Sequence, residues 1–213
     1  MMFTNDPHLG QPLLTGGPEP AAARLSVILV HGRGASAEDI LALAGELHMN
    51  DVAYLAPQAA GATWYPYTFL SPIARNEPGI TSGLGVLSRL IEGLQARGIE
   101  PRRIALLGFS QGACLALEYA ARHAQRYAGV FGLSGGLIGP PGTPRDYAGS
   151  FDQAPVFLGC SDVDPHIPVE RVRESADVFR RMGAAVDERI YARMGHTVNR
   201  DEIQAVRSVL NER

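Results

Sequence analysis

The sequence predicts an α/β protein in which a mostly parallel sheet is covered by helices on both faces. Short strand-like runs alternate with helical stretches of about a dozen residues, which is the length of a crossover helix. Most of these runs are apolar throughout, as expected for strands that are buried on both sides. Residues capable of chemistry follow several of the runs directly, where the carboxyl ends of parallel strands meet.

Each element has its own local signal. Six strands are expected at residues 25–30, 52–56, 103–107, 128–133, 155–158 and 186–191. Five helices are expected at residues 39–48, 80–97, 113–123, 169–182 and 201–210. Ser36 is a suitable N-cap for the first helix, Pro57 stops the second strand, and Gly98 and Gly183 end two of the helices. Residues 61–79 and 135–153 are expected to be long irregular connections.

Composition limits the class of protein. The chain is 46% hydrophobic and 19% charged, with a net charge of −3, which describes an ordinary globular domain. That charge gives no reason to expect a nucleic acid or an anionic membrane as partner. No apolar run is long enough to span a bilayer, and residues 1–24 contain no signal core, which favours the cytoplasm. Cys114 and Cys160 are expected to be core residues and not a disulfide.

The most specific motif is Gly-Phe-Ser-Gln-Gly at residues 108–112, between a predicted strand and a predicted helix. This layout is typical of a nucleophile elbow, in which small neighbours let strand and helix approach closely around a strained serine. A second match at residues 132–136 is followed by Gly and Pro residues that cannot begin a helix. Ser110 is therefore the predicted nucleophile, and Ser134 is expected to be a turn residue at a strand end.

A serine hydroxyl needs a base to take its proton, and the base needs an acidic partner. His196 is the candidate base, because it lies after the serine, between the last predicted strand and the last predicted helix. Asp162 and Asp164 both follow the strand at residues 155–158 and both qualify as the acid. Asp164 is preferred because the turn then continues through Pro165 into the next helix, while Asp162 remains the alternative.

Two backbone amides should form an oxyanion hole. The amide of Gln111 directly follows the nucleophile, and the amide of Arg33 lies in a glycine-flanked loop after the first strand. This loop does not continue into a dinucleotide-binding fingerprint. The Arg33 side chain could attract an anionic substrate group or could simply be solvated at the rim. Five residues are each expected either to line the substrate pocket or to lie in the core: Trp64, Tyr65, Tyr67, Phe69 and Ile138.

With these residues in place, the chain resembles the phospholipase/carboxylesterase family of α/β-hydrolases, which includes bacterial carboxylesterases and acyl-protein thioesterases. The resemblance is carried by Leu-Val-His-Gly-Arg-Gly-Ala, Gly-Phe-Ser-Gln-Gly-Ala, Asp-Pro-His-Ile-Pro and Gly-His-Thr-Val, in family order from about residue 25 to 210. It implies a single-domain α/β-hydrolase fold without a large cap. Residues 25–213 would form the catalytic domain, and residues 1–24 an arm that could add an edge strand.

The resemblance also implies a serine hydrolase that uses no metal or cofactor and acts on small esters or thioesters with short or medium acyl chains. In it, Ser110, Asp164 and His196 would form the triad, and the amides of Arg33 and Gln111 would hold the oxyanion. The thioesterase members usually carry an apolar residue at the position of Arg33, and their substrate-binding segments differ from residues 61–79. Both departures argue against protein depalmitoylation.

Several alternatives stay open at the level of sequence. The chain could be an acyl-protein thioesterase or lysophospholipase, or an acyltransferase or perhydrolase that transfers the acyl group to an acceptor other than water. It could also be a non-catalytic receptor or scaffold, because fold does not fix function. An exposed apolar face around the pocket would favour a homodimer.

Overall fold

A seven-stranded sheet forms the centre of the structure, a computed structural model that describes residues 6–213. The first five residues of the predicted arm lie outside the described residues. The strands are β1 (Leu13–Gly16), β2 (Leu25–Val30), β3 (Val52–Pro57), β4 (Ile104–Phe109), β5 (Gly129–Leu133), β6 (Pro155–Ser161) and β7 (Ala185–Tyr191). The helices are α1 (Ala37–Gly45), α2 (Gly79–Ala96), α3 (Gln111–Arg122), α4 (Val169–Arg181) and α5 (Arg200–Asn211).

The strand order across the sheet is β1-β3-β2-β4-β5-β6-β7. The six strands from β2 to β7 run parallel to one another. Strand β1, which comes from the arm, pairs antiparallel with β3 and places Leu14 opposite Ala56. The mostly parallel sheet expected from the sequence is therefore confirmed, and the arm supplies one of its two edge strands.

Successive residues of the inner strands point to opposite faces of the sheet, as the two-residue period of a strand requires. Val27 and Leu29 pack with α1 and α5 in one apolar cluster. Ile28 and Val30 pack with α2, α3 and α4 in the other. Because both faces of β2 are covered, all six of its residues are buried, which explains its uninterrupted apolar sequence.

Two element boundaries differ from the expected ones for identifiable reasons. Strand β6 continues three residues beyond position 158, because Cys160 and Ser161 stay paired with Ile190 and Tyr191 of β7. Helix α1 ends at Gly45 instead of continuing to residue 48, where the backbone has a φ of 50°. The start of α1 is as predicted, with the Ser36 hydroxyl accepting from the Asp39 amide.

The parallel strands bring the predicted site residues to one edge of the sheet. The loops that follow the carboxyl ends of β2, β4, β6 and β7 carry Arg33, Ser110, Asp164 and His196 respectively. Between residues 6 and 213, none of the helices has both the length and the apolar character needed to cross a membrane.

Candidate active site

The turn that carries Ser110 is sharp and sterically crowded. Ser110 has φ 55° and ψ −120°, a left-handed conformation that is strained for a non-glycine residue. A Cβ on Gly108 would lie 2.4 Å from the carbonyl carbon of Gly112, and a Cβ on Gly112 would lie 2.0 Å from the carbonyl oxygen of Val30. Both positions therefore require glycine, and β4 and α3 can approach closely enough to expose the hydroxyl at the sheet edge.

The Ser110 hydroxyl begins a continuous hydrogen-bonded series. Its Oγ lies 2.8 Å from Nε2 of His196, and Nδ1 of the same ring lies 2.7 Å from Oδ2 of Asp164. The other carboxylate oxygen of Asp164 accepts from the amides of His166 and Ile167 at 2.8 and 3.1 Å. Burial alone would raise the pKa of Asp164, but the bonds from His196 and these two amides hold it below its usual value. The carboxylate is thus kept ionised beside the imidazole.

Side chains around the His196 ring restrict its orientation. The Phe109 ring packs at a centroid distance of 5.1 Å, and the His166 ring meets His196 edge-on at 4.8 Å. The thiol of Cys160 lies 3.8 Å from Oδ2 of Asp164, within reach of a weak sulfur hydrogen bond. The two ring contacts have no local signal in the sequence, because they join residues at the ends of three different strands.

The structure brings Asp164, and not Asp162, to the imidazole. Asp162 instead accepts a hydrogen bond of 2.7 Å from the amide of Arg193, in the loop before His196. The buried hydroxyl of Ser161 accepts from the amide of Gly195 in the same loop at 3.1 Å. Ser161 and Asp162 therefore tie the acid loop to the histidine loop, a role that sequence reasoning missed for Ser161.

The two predicted oxyanion donors are both available. Among residues 6–213, neither the amide of Arg33 nor that of Gln111 donates a hydrogen bond to another group. Gln111 is the first residue of α3, so its amide has no acceptor within the helix. Its side chain accepts from the amide of Trp64 at 2.9 Å and donates to the carbonyl of Tyr65 at 2.8 Å. The residue beside the nucleophile therefore also holds the 64–65 segment in place.

The Arg33 guanidinium is occupied by the same segment. Nη1 donates to the carbonyl of Pro66 at 2.8 Å, and Nη2 donates to the carbonyls of Tyr65 at 2.9 Å and Tyr67 at 2.5 Å. Five N–H donors are present in a guanidinium, and three of them are used here. The side chain thus connects the oxyanion loop to residues 65–67.

A pocket of about 470 Å³ opens beside Ser110 and His196. Two of the predicted wall residues, Tyr65 and Phe69, line it. Trp64 and Ile138 do not: both side chains are fully buried in the core, and Tyr67 is 46% exposed on the surface. Residues that line the pocket but were not singled out from the sequence are Thr68, Leu70, Cys114, Pro165, His166, Ile167 and Pro168.

This geometry agrees with a comparison to known families. A family model described as Phospholipase/Carboxylesterase matches residues 18–213. The chain belongs to the phospholipase/carboxylesterase family. The resemblance stated from the sequence motifs is therefore confirmed.

Known members of the phospholipase/carboxylesterase family share both fold and sequence with this chain. A crystal structure of a phospholipase/carboxylesterase from Dyadobacter fermentans superposes with a TM-score of 0.91 at 40% identity, covering 95% of this chain and 97% of that one. The α/β-hydrolase fold is thereby confirmed. Acyl-protein thioesterase 1 from Gibberella zeae is 32% identical over 66% of this chain, a match that spans 61% of the fungal protein. Acyl-protein thioesterase 1 from Saccharomyces cerevisiae is 25% identical over 89% of this chain and 93% of its own length.

The ionisable side chains at the site of this family member are engaged with one another and not grouped as metal ligands. Within the described part of the chain, no three His, Cys, Asp or Glu side chains are arranged to hold a metal ion. The arrangement that is present supplies a hydroxyl, an imidazole acceptor, a buried carboxylate and two free amides. These are the groups needed for acyl transfer through a serine.

Proposed function

We propose that the protein is a serine hydrolase that cleaves carboxylic esters through an acyl-enzyme on Ser110. The observation that carries the proposal is the hydrogen-bonded series from Ser110 through His196 to Asp164, with separations of 2.8 and 2.7 Å. Each separation is short enough for direct proton transfer or for a charge-assisted hydrogen bond.

In the acylation step, Nε2 of His196 takes the proton of the Ser110 hydroxyl as the oxygen attacks the ester carbonyl. Asp164 accepts from Nδ1–H, which fixes the tautomer with Nε2 free and stabilises the imidazolium that forms. Negative charge develops on the carbonyl oxygen, where the amides of Arg33 and Gln111 can donate. One such donor typically contributes on the order of 3 kcal/mol to transition-state stabilisation.

In the second step, the imidazolium protonates the departing alcohol, and the neutral ring then takes a proton from water as water attacks the acyl-enzyme. The product acid leaves and Ser110 regains its proton. The proposed acceptor is water, because the pocket opens to solvent beside the nucleophile. No metal or redox group takes part in these steps.

The proposed substrates are small esters with short or medium acyl chains. The pocket of about 470 Å³ is in the size range of small-molecule sites, and its apolar wall includes Phe69, Leu70 and Ile167. The proposal places the enzyme in the cytoplasm, in keeping with two free, buried cysteines. Neither a nucleic acid partner nor a homodimer is needed for the proposed reaction.

Thioester hydrolysis is the second candidate, favoured by the sequence similarity to two acyl-protein thioesterases. The same acyl-enzyme forms from a thioester, so the site itself accommodates both reactions. The feature that argues for the ester reaction is Arg33 itself, because the thioesterase members of the family usually carry an apolar residue at that position. Measuring kcat/KM for matched butyryl and octanoyl esters and thioesters would rank the two.

The first experiment is hydrolysis of p-nitrophenyl esters from acetate to palmitate by wild type, Ser110→Ala and Ser134→Ala. Ser134 is a matched control, because it lies in the second Gly-x-Ser-x-Gly sequence and also has a positive φ, at 51°. We expect Ser110→Ala to lose turnover and labelling by a fluorophosphonate, while Ser134→Ala keeps both. A wild type that neither hydrolyses any ester nor reacts with the probe would favour a receptor or scaffold instead.

A further inference from the structure

His8 lies in the N-terminal arm, yet its imidazole is buried in the body of the protein with 4% of the residue exposed. Its ring nitrogens face two groups of the segment that follows β3. The amide of Ala60 donates to Nδ1 at 3.1 Å, and Nε2 lies 2.9 Å from the carbonyl oxygen of Trp64. Because Nδ1 accepts, Nε2 carries the proton and donates to Trp64. Both nitrogens of His8 are thus used to hold one loop.

His31 holds the neighbouring residue of that loop in the same manner. The amide of Ala59 donates to Nε2 of His31 at 3.0 Å, so Nδ1 carries the proton and donates to the carbonyl of Gly32 at 2.8 Å. Two consecutive amides, those of Ala59 and Ala60, therefore end on two different imidazoles. Burial lowers the pKa of both histidines, which favours the neutral form that this arrangement requires.

The Trp64 ring packs against both imidazoles. The ring centroids of His8 and Trp64 are 5.2 Å apart, and those of His31 and Trp64 are 5.1 Å apart. The indole Nε1 donates to the carbonyl of His31 at 2.9 Å. A packed series therefore runs from His8 through Trp64 to His31, whose ring bonds Gly32, the residue before the oxyanion donor Arg33.

We propose that His8 is a positioning residue for the oxyanion hole, and that the N-terminal arm is therefore part of the active site. His8 acts through Trp64, which supports the 31–33 loop from behind and so keeps the Arg33 amide directed at the Ser110 side of the pocket. The inference rests on the proposed serine hydrolase function. It adds to that function a residue about one hundred positions away from the nucleophile in the chain.

The arrangement offers a readout that is independent of activity, because Trp64 is the only tryptophan. Asp6→Asn is the matched control. Asp6 ties the arm to Ser82 and, at 3.1 Å, to Arg89, and among the described residues its side chain has no hydrogen bond to Trp64. We expect acrylamide to quench Trp64 emission at least three-fold more strongly in His8→Ala than in wild type, and equally in Asp6→Asn and wild type.

The kinetic experiment uses the p-nitrophenyl ester that wild type hydrolyses best. We expect His8→Ala to lower kcat about ten-fold with KM changed less than two-fold, because a displaced oxyanion donor weakens the transition state more than substrate binding. His8→Gln, which can still donate to the Trp64 carbonyl, should recover part of kcat. All assays are made well below the unfolding midpoint of each variant, so that loss of folded protein does not mimic loss of positioning.

A His8→Ala enzyme with wild-type kcat, or with Trp64 as shielded as in wild type, would overturn the proposal. An equal loss of kcat in Asp6→Asn would also overturn it. The arm would then affect the rate only by being attached to the rest of the protein, and not through the contact between His8 and Trp64. Failure of the proposed function is distinguishable from these results, because it would appear as an inactive wild type or an active Ser110→Ala. The quenching comparison tests the His8–Trp64 contact in either case.

Discussion

The amide of Arg193 donates a hydrogen bond of 2.7 Å to Oδ1 of Asp162. Asp162 lies two residues before the carboxylate that faces His196, and it fixes the backbone of the loop on which His196 is carried. Two neighbouring acidic residues thus have separate tasks at the same strand end. Asp164 bonds the His196 imidazole, and Asp162 bonds the loop that carries His196.

This division predicts very different effects for the two carboxylates. Asp164→Ala should lower kcat by on the order of 10⁴-fold, because the imidazole loses the partner that fixes its tautomer. Asp162→Ala should lower kcat/KM only about five-fold, the value of roughly one hydrogen bond. Asp162→Asn, whose amide oxygen can still accept from Arg193, should resemble wild type. Ester kinetics of the three variants measure this, and the reverse order would make Asp162 the acid.

Arg33 is expected to act through the 65–67 segment that its guanidinium binds, of which Tyr65 lines the pocket. Arg33→Ala should lower kcat/KM for neutral esters about ten-fold, because three carbonyls of residues 65–67 lose their donors. Arg33→Lys should recover little, since a single ammonium cannot reproduce the planar, multiply donating guanidinium. Kinetics on one neutral and one anionic ester make the test. A loss confined to the anionic ester would instead establish direct contact between Arg33 and substrate.

The dependence of rate on pH should show a single acidic limb. The base must be neutral to accept the Ser110 proton, so kcat/KM should fall on the acidic side of neutral pH. Asp164 adds no second limb in that range, because its pKa is held below the usual value and it stays ionised. Initial rates between pH 4 and 9 give the profile. A rate that stays constant down to pH 4 is incompatible with His196 as the base.

Glu202 should make stability depend on pH in the opposite direction from most carboxylates. Its side chain is fully buried against the sheet, Oε1 has no hydrogen-bond partner among the described residues, and burial raises its pKa to about 7. A folded-state pKa above the unfolded one stabilises the fold at low pH, and this contribution is lost as pH rises from about 4.5 through 7. The charged carboxylate then costs roughly 3 kcal/mol.

Glu202→Gln should therefore be more stable than wild type at pH 8, by up to roughly 3 kcal/mol, and nearly equal to it at pH 4.5. The amide oxygen of Gln can still accept from the Asn199 amide, as Oε2 of Glu202 does at 2.9 Å. Urea unfolding at both pH values measures the difference. Glu212→Gln, which removes the same charge from an exposed position, should show no such dependence. Equal stability of Glu202→Gln and wild type at pH 8 would contradict the raised pKa.

The central residues of the candidate site could be predicted because each has a local sequence signal. Ser110 lies between a buried strand and a buried helix with glycines on either side, and the chain order of serine, acid and histidine leaves few choices. The choice between Asp162 and Asp164 rested on turn chemistry alone. The structure separates them only through contacts across the loops, with the Arg193 amide for one and the His196 ring for the other.

The pocket wall could not be predicted in the same way. Trp64 and Phe69 belong to one aromatic-rich connection, and nothing in the local sequence tells which ring faces the core and which faces the substrate. Trp64 is held in the core by hydrogen bonds to His8 and His31, which are 56 and 33 residues away in the chain. No local pattern marks His8 as a buried residue, because it lies in a Pro- and Gly-rich arm. Such long-range packing has no local signature in a single sequence.

Ser110 is carried by an inner strand of the sheet, whereas His196 follows the partly exposed strand at its far edge. Edges of a fold open more readily than its interior. On heating, hydrolytic activity should therefore be lost before the core unfolds. Local opening of β7 and its loop would move the His196 imidazole away from Ser110 while the turn around Ser110 stays folded. The same dependence applies as the chain is made, because His196 lies 86 residues after Ser110 and can complete the series only once β7 has paired with β6.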